Sequence, residues 1–560
     1  MRKKKKSRTL TFRLLRKGKS IDDAVSETFS ADSDRALARV PWVPIDGAEL
    51  VYGQIYSNPP GWADFLAEGV EEPLSRMFTG GAGAILFVPV GGRTLAVNFG
   101  HIHIALDDDA FERQFGLKVT LNSVPATNIR TLDLATPDAV TFQKRVQASR
   151  DSDIGSFGID EFRDLARVAG GTPGDFKFGS FVAGKDALSL TSKIEVDDLR
   201  DKCQEILRVF NLTNYKNEFA WVDNLKPVIE KDRIEKLDLQ LLKAVQELRS
   251  GKSADLHLAP PEIVNYVDGN EIHYNGFGSN GRTFNSLEID DYVSELNRCS
   301  FGSKLTNADA ISAIKSNHKV AAKPAGEEKF SERWKLYDCF VLEASLTIGM
   351  VTSFYVLFAG NWFEVDYSFK SKIDNFYSSL PKVTVIGPTT TANNEEDLIA
   401  QIEATRSDLI KLDRTKLNPA GTRYAFLEPC DFFSDQRQFI HLKDGKSSGP
   451  ISHLWMQGVV SAESFVNDQT FRQKLRKTAL TLNKTIGSLL PTARQRVKRD
   501  DYKIVFGVMK TRTASGGLEL PFFSKVSLRT AVERLRNMDF EVGLELIEKL
   551  PATTSGGKAP

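Results

Sequence analysis

Asp431, His441, Lys443 and Gln457 bring a carboxylate, an imidazole, an ammonium group and an amide into residues 422–458. A carboxylate and a neutral imidazole can bind a metal ion or transfer a proton, and an ammonium group stabilises negative charge. Side chains alternate along a strand, so His441 and Lys443 share a face if the chain is extended there. A turn midway between Asp431 and His441 would place the two opposite each other. The spacing therefore predicts one polar patch, which Gln457 approaches from the next helix.

The residues around this patch predict a hairpin between two helical regions. Aromatic and β-branched residues favour the strands, and the polar residues 434–436 favour the turn. The predicted elements, in order, are a helix at 395–409, strands at 410–412, 424–433 and 439–443, an interrupted helical region at 451–485, a strand at 502–509 and a helix at 527–537. Up to the strand at 502–509, the order is α-β-β-β-α-β.

Breaks in composition divide the 560 residues into five predicted parts, and the predicted fold class is α+β with several domains. The parts are an N-terminal α+β domain at 1–255, a strand-rich middle domain at 256–386, a linker at 387–394, a C-terminal domain at 395–550 and a disordered tail at 551–560. The predicted N-terminal elements include a strand at 8–16, a hairpin at 84–99, a strand at 115–121, and helices at 159–168, 196–210 and 228–250.

The composition is that of a globular protein, with 41% hydrophobic and 26% charged residues and a net charge of +1. The cysteines are Cys203, Cys299, Cys339 and Cys430. They form no CxxC pair, which argues against a zinc cluster or a disulfide framework and favours a cytoplasmic location. The apolar run 339–363 contains Glu343 and two glycines, so it predicts buried strands rather than a membrane span. The basic residues 2–6 precede no apolar signal core.

The C-terminal third resembles the core of the restriction-endonuclease-like nucleases, the PD-(D/E)XK superfamily. The resemblance is carried by the α-β-β-β-α-β order, by Pro429-Cys430-Asp431 in place of PD, and by His441-Leu442-Lys443 in place of (D/E)-x-K. It departs from the pattern in two places. One residue separates the proline from the aspartate, and a histidine stands at the second acidic position, although Mg²⁺ prefers oxygen ligands.

The resemblance implies roles for the residues of the patch. Asp431 and His441 would hold a divalent metal, Mg²⁺ or Mn²⁺, with His441 alternatively transferring a proton. Lys443 would polarise water or phosphate, and Gln457, matching a helix glutamine of several branches, would position one of them. An acid on the leading helix is matched by Glu396 or Glu403.

Over its whole length the chain also resembles a sporadically distributed prokaryotic family of unknown function. The segments that carry this resemblance are 96–100 (AVNFG), 115–117 (FGL), 121–122 (LN), 221–223 (WVD), 259–263 (APPEI), 430–431 (CD), 440–443 (IHLK), 452–454 (SHL), 457–458 (QG) and 521–524 (PFFS). Such families are associated with mobile or defence loci, which implies a role in antiviral defence against foreign DNA. The chain departs from the family at 101–103 (HIH), where a glycine-containing turn is expected.

Basic residues dominate residues 472–512, which carry twelve lysines and arginines but only two acids. A solvated basic face explains such a composition, and so does a surface that contacts phosphates next to a hydrolytic site. The residues predicted to contact nucleic acid are Arg472, Lys474, Arg476, Lys477, Arg494, Arg496, Lys498 and Arg499.

Two other motifs are weaker. Residues 276–281 fit GxGxxG, but no helix begins after them, so a flexible turn is predicted. His101 and His103 would share a face of a strand near the aspartates at 107–109, but nothing fixes further metal ligands.

The predicted function is metal-dependent hydrolysis of nucleic-acid phosphodiesters, with DNA as the expected partner and no membrane association. A catalytically inactive nucleic-acid-binding or sensor protein with a nuclease-like fold is the first alternative, and the histidine at the acidic position favours it. A protein-interaction scaffold is the second. The oligomeric state stays open.

Overall fold

A computed structural model describes residues 5–33, 35–56, 80–137, 141–149, 154–264, 271–278, 282–299, 308–323, 330–420, 426–445, 448–512 and 517–550. These residues form four sheets with packed helices, which confirms the α+β, multidomain class. The predicted tail at 551–560, the first part of the predicted strand at 424–433 and the end of the glycine motif lie outside the described residues. No helix in the described ranges has the length and apolar character to cross a membrane.

The N-terminal part is built on a ten-stranded antiparallel sheet. Its strands are Ser7–Leu14 (β1), Ala38–Pro41 (β2), Glu49–Tyr56 (β3), Gly80–Val90 (β4), Arg93–Gly100 (β5), Ile129–Ala135 (β6), Gln143–Gln147 (β7), Leu165–Gly171 (β8), Phe181–Gly184 (β9) and Leu188–Lys193 (β10). They lie in the order β2-β3-β4-β5-β1-β10-β9-β8-β6-β7. Gly91 and Gly92, both at positive φ, form the predicted turn between β4 and β5.

The helices of this part are Ile21–Ala24 (α1), Phe115–Ser123 (α2), Leu199–Phe210 (α3) and Lys216–Phe219 (α4). The strand predicted at 115–121 is wrong, because these residues form α2. A helix that is buried on most sides has a continuous run of apolar residues, and so does a buried strand, so the sequence pattern cannot distinguish them. A Cβ atom at Gly116 would lie 2.0 Å from the carbonyl oxygen of Ala187, so the helix backbone touches the sheet there. The helix predicted at 159–168 is also wrong, since its last residues belong to β8.

The middle part contains a five-stranded antiparallel sheet, β11-β18-β17-β16-β12, and a three-stranded one, β13-β14-β15. The strands are Leu225–Pro227 (β11), Leu256–Leu258 (β12), Ile272–Asn275 (β13), Lys319–Ala322 (β14), Ser331–Lys335 (β15), Phe340–Ile348 (β16), Val351–Phe358 (β17) and Asn361–Val365 (β18). The helices are Lys231–Arg249 (α5), Ile289–Arg298 (α6), Ala308–Asn317 (α7), Leu336–Cys339 (α8) and Tyr367–Ser379 (α9). Because β11 and α5 pack here, this part begins before the predicted boundary at residue 255.

A buried carboxylate organises the core of the middle part. Asp238 of α5 is 3% exposed and accepts hydrogen bonds from Tyr337 Oη at 2.6 Å and Trp362 Nε1 at 2.9 Å. Lys315 Nζ of α7 lies 2.9 Å from its other oxygen. One side chain thus joins α5, α7, α8 and β18.

The C-terminal part is a six-stranded mixed sheet with helices on its faces. Its strands are Thr389–Thr390 (β19), Leu409–Lys411 (β20), Phe432–Ser434 (β21), Gln438–Asp444 (β22), Lys503–Lys510 (β23) and Glu541–Lys549 (β24). Its helices are Glu395–Thr405 (α10), Ser448–Asn467 (α11), Gln469–Leu482 (α12), Lys484–Ser488 (α13) and Phe522–Asn537 (α14). Strands β20, β21 and β22 are antiparallel, while β22, β23, β24 and β19 are parallel neighbours. The predicted order from helix α10 to strand β23 is present, and α14 and β24 extend it.

Residues 387–394, which the sequence predicts to be a linker, contribute β19 to this sheet. The segment just before them is held by a buried carboxylate on β24. Glu545 is 2% exposed and accepts hydrogen bonds from the backbone N–H groups of Val385, Ile386 and Gly387 at 2.8–3.1 Å. The C-terminal part therefore begins upstream of the predicted linker.

A shared apolar cluster joins the three parts of the molecule. It includes Leu165 from the N-terminal part, Phe369 from the middle part, and Phe522 and Phe523 from helix α14. Glu343 of β16 accepts hydrogen bonds from the N–H groups of Phe522 at 2.6 Å and Phe523 at 2.8 Å. It thereby satisfies free donors at the start of α14.

Candidate functional site

The β21–β22 hairpin brings the backbones of Asp431 and His441 close together. Phe432 pairs with Ile440 and Phe433 pairs with Phe439, and the paired register ends there. The N–H of Asp431 donates to the carbonyl oxygen of Ile440, the residue before His441, at 3.0 Å. The two backbones are therefore close, while the two side chains have different surroundings.

The Asp431 carboxylate belongs to a group of three acids. Oxygen atoms of Asp413, Glu428 and Asp431 all lie within 4.8 Å of one another. Asp431 is 8% exposed, and the other two are half-buried. Asp413 follows β20 and Glu428 precedes β21, and these antiparallel strands are neighbours, so the end of one lies beside the start of the other. An isolated bridge between Leu417 and Leu427 joins the two sides of the connecting loop.

Burial and neighbouring charges raise the pKa of two of these acids, Asp431 and Glu428. Burial raises the pKa of Asp431 to about 8, the charges of Glu428, Glu395 and Asp413 add to this rise, and the Leu442 N–H, 2.5 Å from Oδ2, opposes it. Burial also raises the pKa of Glu428, and Asp413 and Glu395 contribute. The carboxylates repel one another, so this site favours a cation.

Lys443 lies near one of the three acids. Its Nζ is 2.8 Å from Oε2 and 3.0 Å from Oε1 of Glu395, the first residue of α10. The charge of Lys443 opposes the rise in the pKa of Glu428, and the charge of Glu395 adds to it. An ammonium group held by a helix carboxylate therefore lies near Glu428.

The resemblance to the nuclease superfamily matches the acid of the leading helix to Glu396 or Glu403, and neither of them contacts Lys443. Glu396 pairs with Arg414, and Glu403 pairs with Lys411 at 2.8 Å. Glu395 is the residue that reaches Lys443. The motif could not identify which residue of the helix faces Lys443, because the ends of a helix are the least certain part of a sequence-based assignment.

The His441 ring packs between the sheet and α11. Its Nε2 lies 3.5 Å from Ser461 Oγ, and its ring centroid lies 5.9 Å from that of Phe506. The ring is 3% exposed, and burial lowers its pKa to about 4, so it is neutral near pH 7. It is not part of the three-acid group. The position that the motif assigns to a second metal ligand thus holds a packed, neutral histidine.

Sequence reasoning missed Asp413 and Glu428. Glu428 stands three residues before Asp431, in the stretch Glu428-Pro429-Cys430-Asp431, and Asp413 directly follows the strand that pairs with β21. The sequence offered one signal for Asp413, which is an acid at the end of a strand that pairs with the strand after Asp431.

Gln457 lies on α11, half-buried and one turn before Ser461. The two residues therefore share a helix face, the face that meets His441. Within the described ranges, no hydrogen bond joins the Gln457 side chain to another residue.

The eight predicted phosphate contacts divide into two groups. Arg472 is buried, and its guanidinium donates to the carbonyl oxygens of Phe465, Val466 and Ala493 at 2.7–3.0 Å, so it stabilises the fold. The other seven are exposed or half-buried on the surface: Lys474, Arg476, Lys477, Arg494, Arg496, Lys498 and Arg499. Arg476, Lys477 and Arg494, together with Lys484, line an open groove beside α12.

This basic surface is connected to the three-acid group by one loop. Lys474 Nζ donates to the carbonyl oxygen of Asn418 at 2.9 Å. Asn418 stands five positions after Asp413, and a fully extended chain of that length spans at most about 18 Å. The distance from the start of α12 to the three acids is therefore no longer than a strand of a few nucleotides.

The alternative histidine pair gives no comparable group. His101 and His103 are exposed at a short 3-10 helix, with ring centroids 6.3 Å apart. Among the described residues they belong to no set of three metal-ligating side chains.

Comparison with known proteins identifies the family but no activity. A family model described as a family of unknown function (DUF6119) matches residues 10–548, so the chain belongs to that family. The predicted membership of a family of unknown function is confirmed. No curated protein and no solved structure matches the chain.

Proposed function

We propose that this member of the DUF6119 family hydrolyses phosphodiester bonds of nucleic acids, using a divalent metal held by Asp413, Glu428 and Asp431. The observation that supports this most directly is the convergence of three carboxylates, one of which, Glu428, lies near the ammonium group of Lys443. DNA is the expected substrate, and defence against foreign DNA is the expected setting, because of the family resemblances in the sequence.

The donor set fits a hard cation. All three candidate ligands offer carboxylate oxygens, which Mg²⁺ and Mn²⁺ prefer over nitrogen or sulfur. The buried position of Asp431 among like charges is costly without a cation. A divalent ion bound there would lower the pKa of a water molecule and neutralise charge on the phosphate.

The chain's own residues supply the remaining functions. The ammonium group of Lys443 stabilises negative charge that builds up on a phosphate next to the acids. Glu395 restrains that ammonium group through the 2.8 Å contact. Gln457 offers an amide that can orient water or phosphate, and His441 supports strand β22 from the α11 side rather than ligating the metal.

Cleavage assays with a matched pair of variants test this proposal. We expect the chain to cleave labelled DNA or RNA with Mg²⁺ or Mn²⁺ but not with EDTA. Glu428→Gln should lower the rate by about 10²-fold or more, because a neutral amide is a poor ligand for a hard cation. Glu403→Gln is the control, since Glu403 lies on α10 and pairs with Lys411, and it is not one of the three acids.

Two outcomes would contradict the proposal. One is metal-independent cleavage, and the other is equal activity of the Glu428→Gln and Glu403→Gln variants. Direct titration with Mn²⁺ separates metal binding from turnover, because the proposal requires weaker Mn²⁺ binding by Glu428→Gln.

The basic groove beside α12 should contribute to binding through phosphate contacts. Reversing two of its charges with Lys477→Glu and Arg494→Glu should weaken DNA binding and lower the slope of log K against log salt by about two. Fluorescence anisotropy at several salt concentrations measures this slope. Lys231→Glu with Lys243→Glu is the control, because both lysines are exposed on α5. An equal loss in both double variants would show that net charge alone matters.

A second candidate is a catalytically inactive nucleic-acid-binding or sensor protein. The packed, neutral His441 at the second acidic position favours it. This candidate predicts salt-dependent binding through the same groove with no metal-dependent turnover.

A further inference from the structure

A cleft lies between the N-terminal sheet and the five-stranded sheet. Three cationic side chains and one acid line it, namely Arg113, Arg167, Lys185 and Asp186. Apolar side chains, including Leu165, Phe358 and Phe363, form the rest of its wall. The cavity inside it has a volume of about 40 Å³.

Two of the cations have no ion-pair partner among the described residues. Arg167 is half-buried, with its Cζ 5.8 Å from the ring centroid of Phe358, and Lys185 is exposed. Neither side chain forms a hydrogen bond within the described ranges. Desolvation lowers the pKa of both groups although Lys185 still reaches solvent, the charges of Arg167 and Arg113 lower that of Lys185 further, and Asp186 opposes both shifts. The two cations repel each other, so an anion would stabilise this arrangement.

The nearby acids are mostly engaged elsewhere. Asp186 accepts a hydrogen bond from the Gln114 N–H at 2.7 Å and lies 3.6 Å from Arg113 Nη1. Arg113 also pairs with Asp109 at 2.9 Å, yet its Nε is buried without a hydrogen-bond partner among the described residues. Asp338, beside Gly360, offsets part of the positive charge from the side of the middle sheet.

The backbone of the cleft is strained at two positions. Gln114 and Ala359 both line it, and both have positive φ, 56° and 48°, although neither is glycine. Such conformations are unfavourable for residues other than glycine and concentrate at ligand-binding sites. Gln114 directly precedes helix α2, and Ala359 lies in the turn between β17 and β18, so each wall of the cleft contains one such residue.

We propose that this cleft binds a small phosphate-bearing anion, held by the guanidinium group of Arg167 and the ammonium group of Lys185. Guanidinium groups recognise phosphate by paired hydrogen bonds, and lysine adds a point charge. The narrow space suits one phosphate group and excludes a nucleic-acid duplex. The site is independent of the proposed hydrolysis, since none of its residues belongs to the three-acid group.

Calorimetric titration of the full chain with inorganic phosphate and with AMP tests this proposal. We expect saturable binding of at least one of them, weakened tenfold or more by Arg167→Gln with Lys185→Gln. Lys193→Gln, which changes an exposed lysine at the end of β10, should bind like the unchanged protein. Circular dichroism and the thermal unfolding midpoint without ligand show whether the double variant folds.

Comparing which of these ligands bind shows whether the site takes free phosphate or a phosphomonoester. Binding of phosphate alone supports a free oxyanion site, and binding of AMP without phosphate supports a phosphomonoester site. Equal binding of adenosine and AMP would overturn the proposal, because recognition would then not depend on the phosphate. So would the absence of binding by both phosphate ligands, or unchanged binding by a folded double variant.

Discussion

Replacing Lys443 by alanine is expected to lower the rate of metal-dependent phosphodiester cleavage by about 10²–10³-fold, the usual cost of removing one group that stabilises transition-state charge. Substrate binding should change far less, because the basic groove that holds the phosphate backbone remains. The variant also leaves Glu395 without its partner, so one more negative charge faces the substrate. Single-turnover cleavage at saturating Mn²⁺ measures this effect.

Lys411→Ala is a closely matched control for this experiment. Lys411 also lies on a strand of the C-terminal sheet, and it also pairs with a glutamate of α10, Glu403, at 2.8 Å. It differs from Lys443 in the feature under test, since the charge of Lys443 lowers the pKa of Glu428. Normal cleavage by Lys443→Ala, or an equal loss in the two variants, would remove Lys443 from the proposed site.

Replacing Asp238 by alanine is expected to lower the free energy of unfolding of the middle part by about 3–5 kcal/mol. The change removes the acceptor for Tyr337 and Trp362, and it leaves the Lys315 ammonium group without its buried partner. Unsatisfied buried donors cost more than the hydrogen bonds contributed. Urea-induced unfolding followed by circular dichroism measures the loss.

Two further variants separate the possible causes of this loss. Asp238→Asn keeps an acceptor oxygen but removes the charge, so its stability should lie between those of the unchanged protein and Asp238→Ala. Glu235→Ala changes an exposed acid on the same helix and should alter the unfolding free energy by at most about 0.5 kcal/mol. A loss for Asp238→Ala that matches the loss for Glu235→Ala would contradict the role of the buried network.

Local spacing predicted the hairpin of the candidate site, but not the full set of its acids. Alternation along strands was enough to predict a hairpin that brings Asp431 near His441, because strand register is a local property once the turn is known. Asp413 lies 18 residues before Asp431, and it joins the group through the pairing of β20 with β21. Pairing of that kind depends on the tertiary fold, which a motif does not specify.

Residue identity also failed to predict which side chains are buried. Arg472 and the exposed Lys477 stand in the same basic stretch, yet Arg472 is directed to three carbonyl oxygens of neighbouring segments. Helix α2 was predicted as a strand because both faces of its short apolar sequence are covered. In each case the side-chain environment came from distant segments that close over the residue.

The hydrogen bonds between Glu545 and the backbone of residues 385–387 affect which fragments of this protein can keep their fold. A fragment that starts at the sequence-derived boundary, residue 395, would keep the Glu545 carboxylate in the sheet but lose the three amide groups that surround it. It would also lose strand β19, and it would expose Phe522 and Phe523 to water once the middle sheet and Glu343 were gone. The last third is therefore not an autonomous module, and its chemistry is best studied in the intact chain.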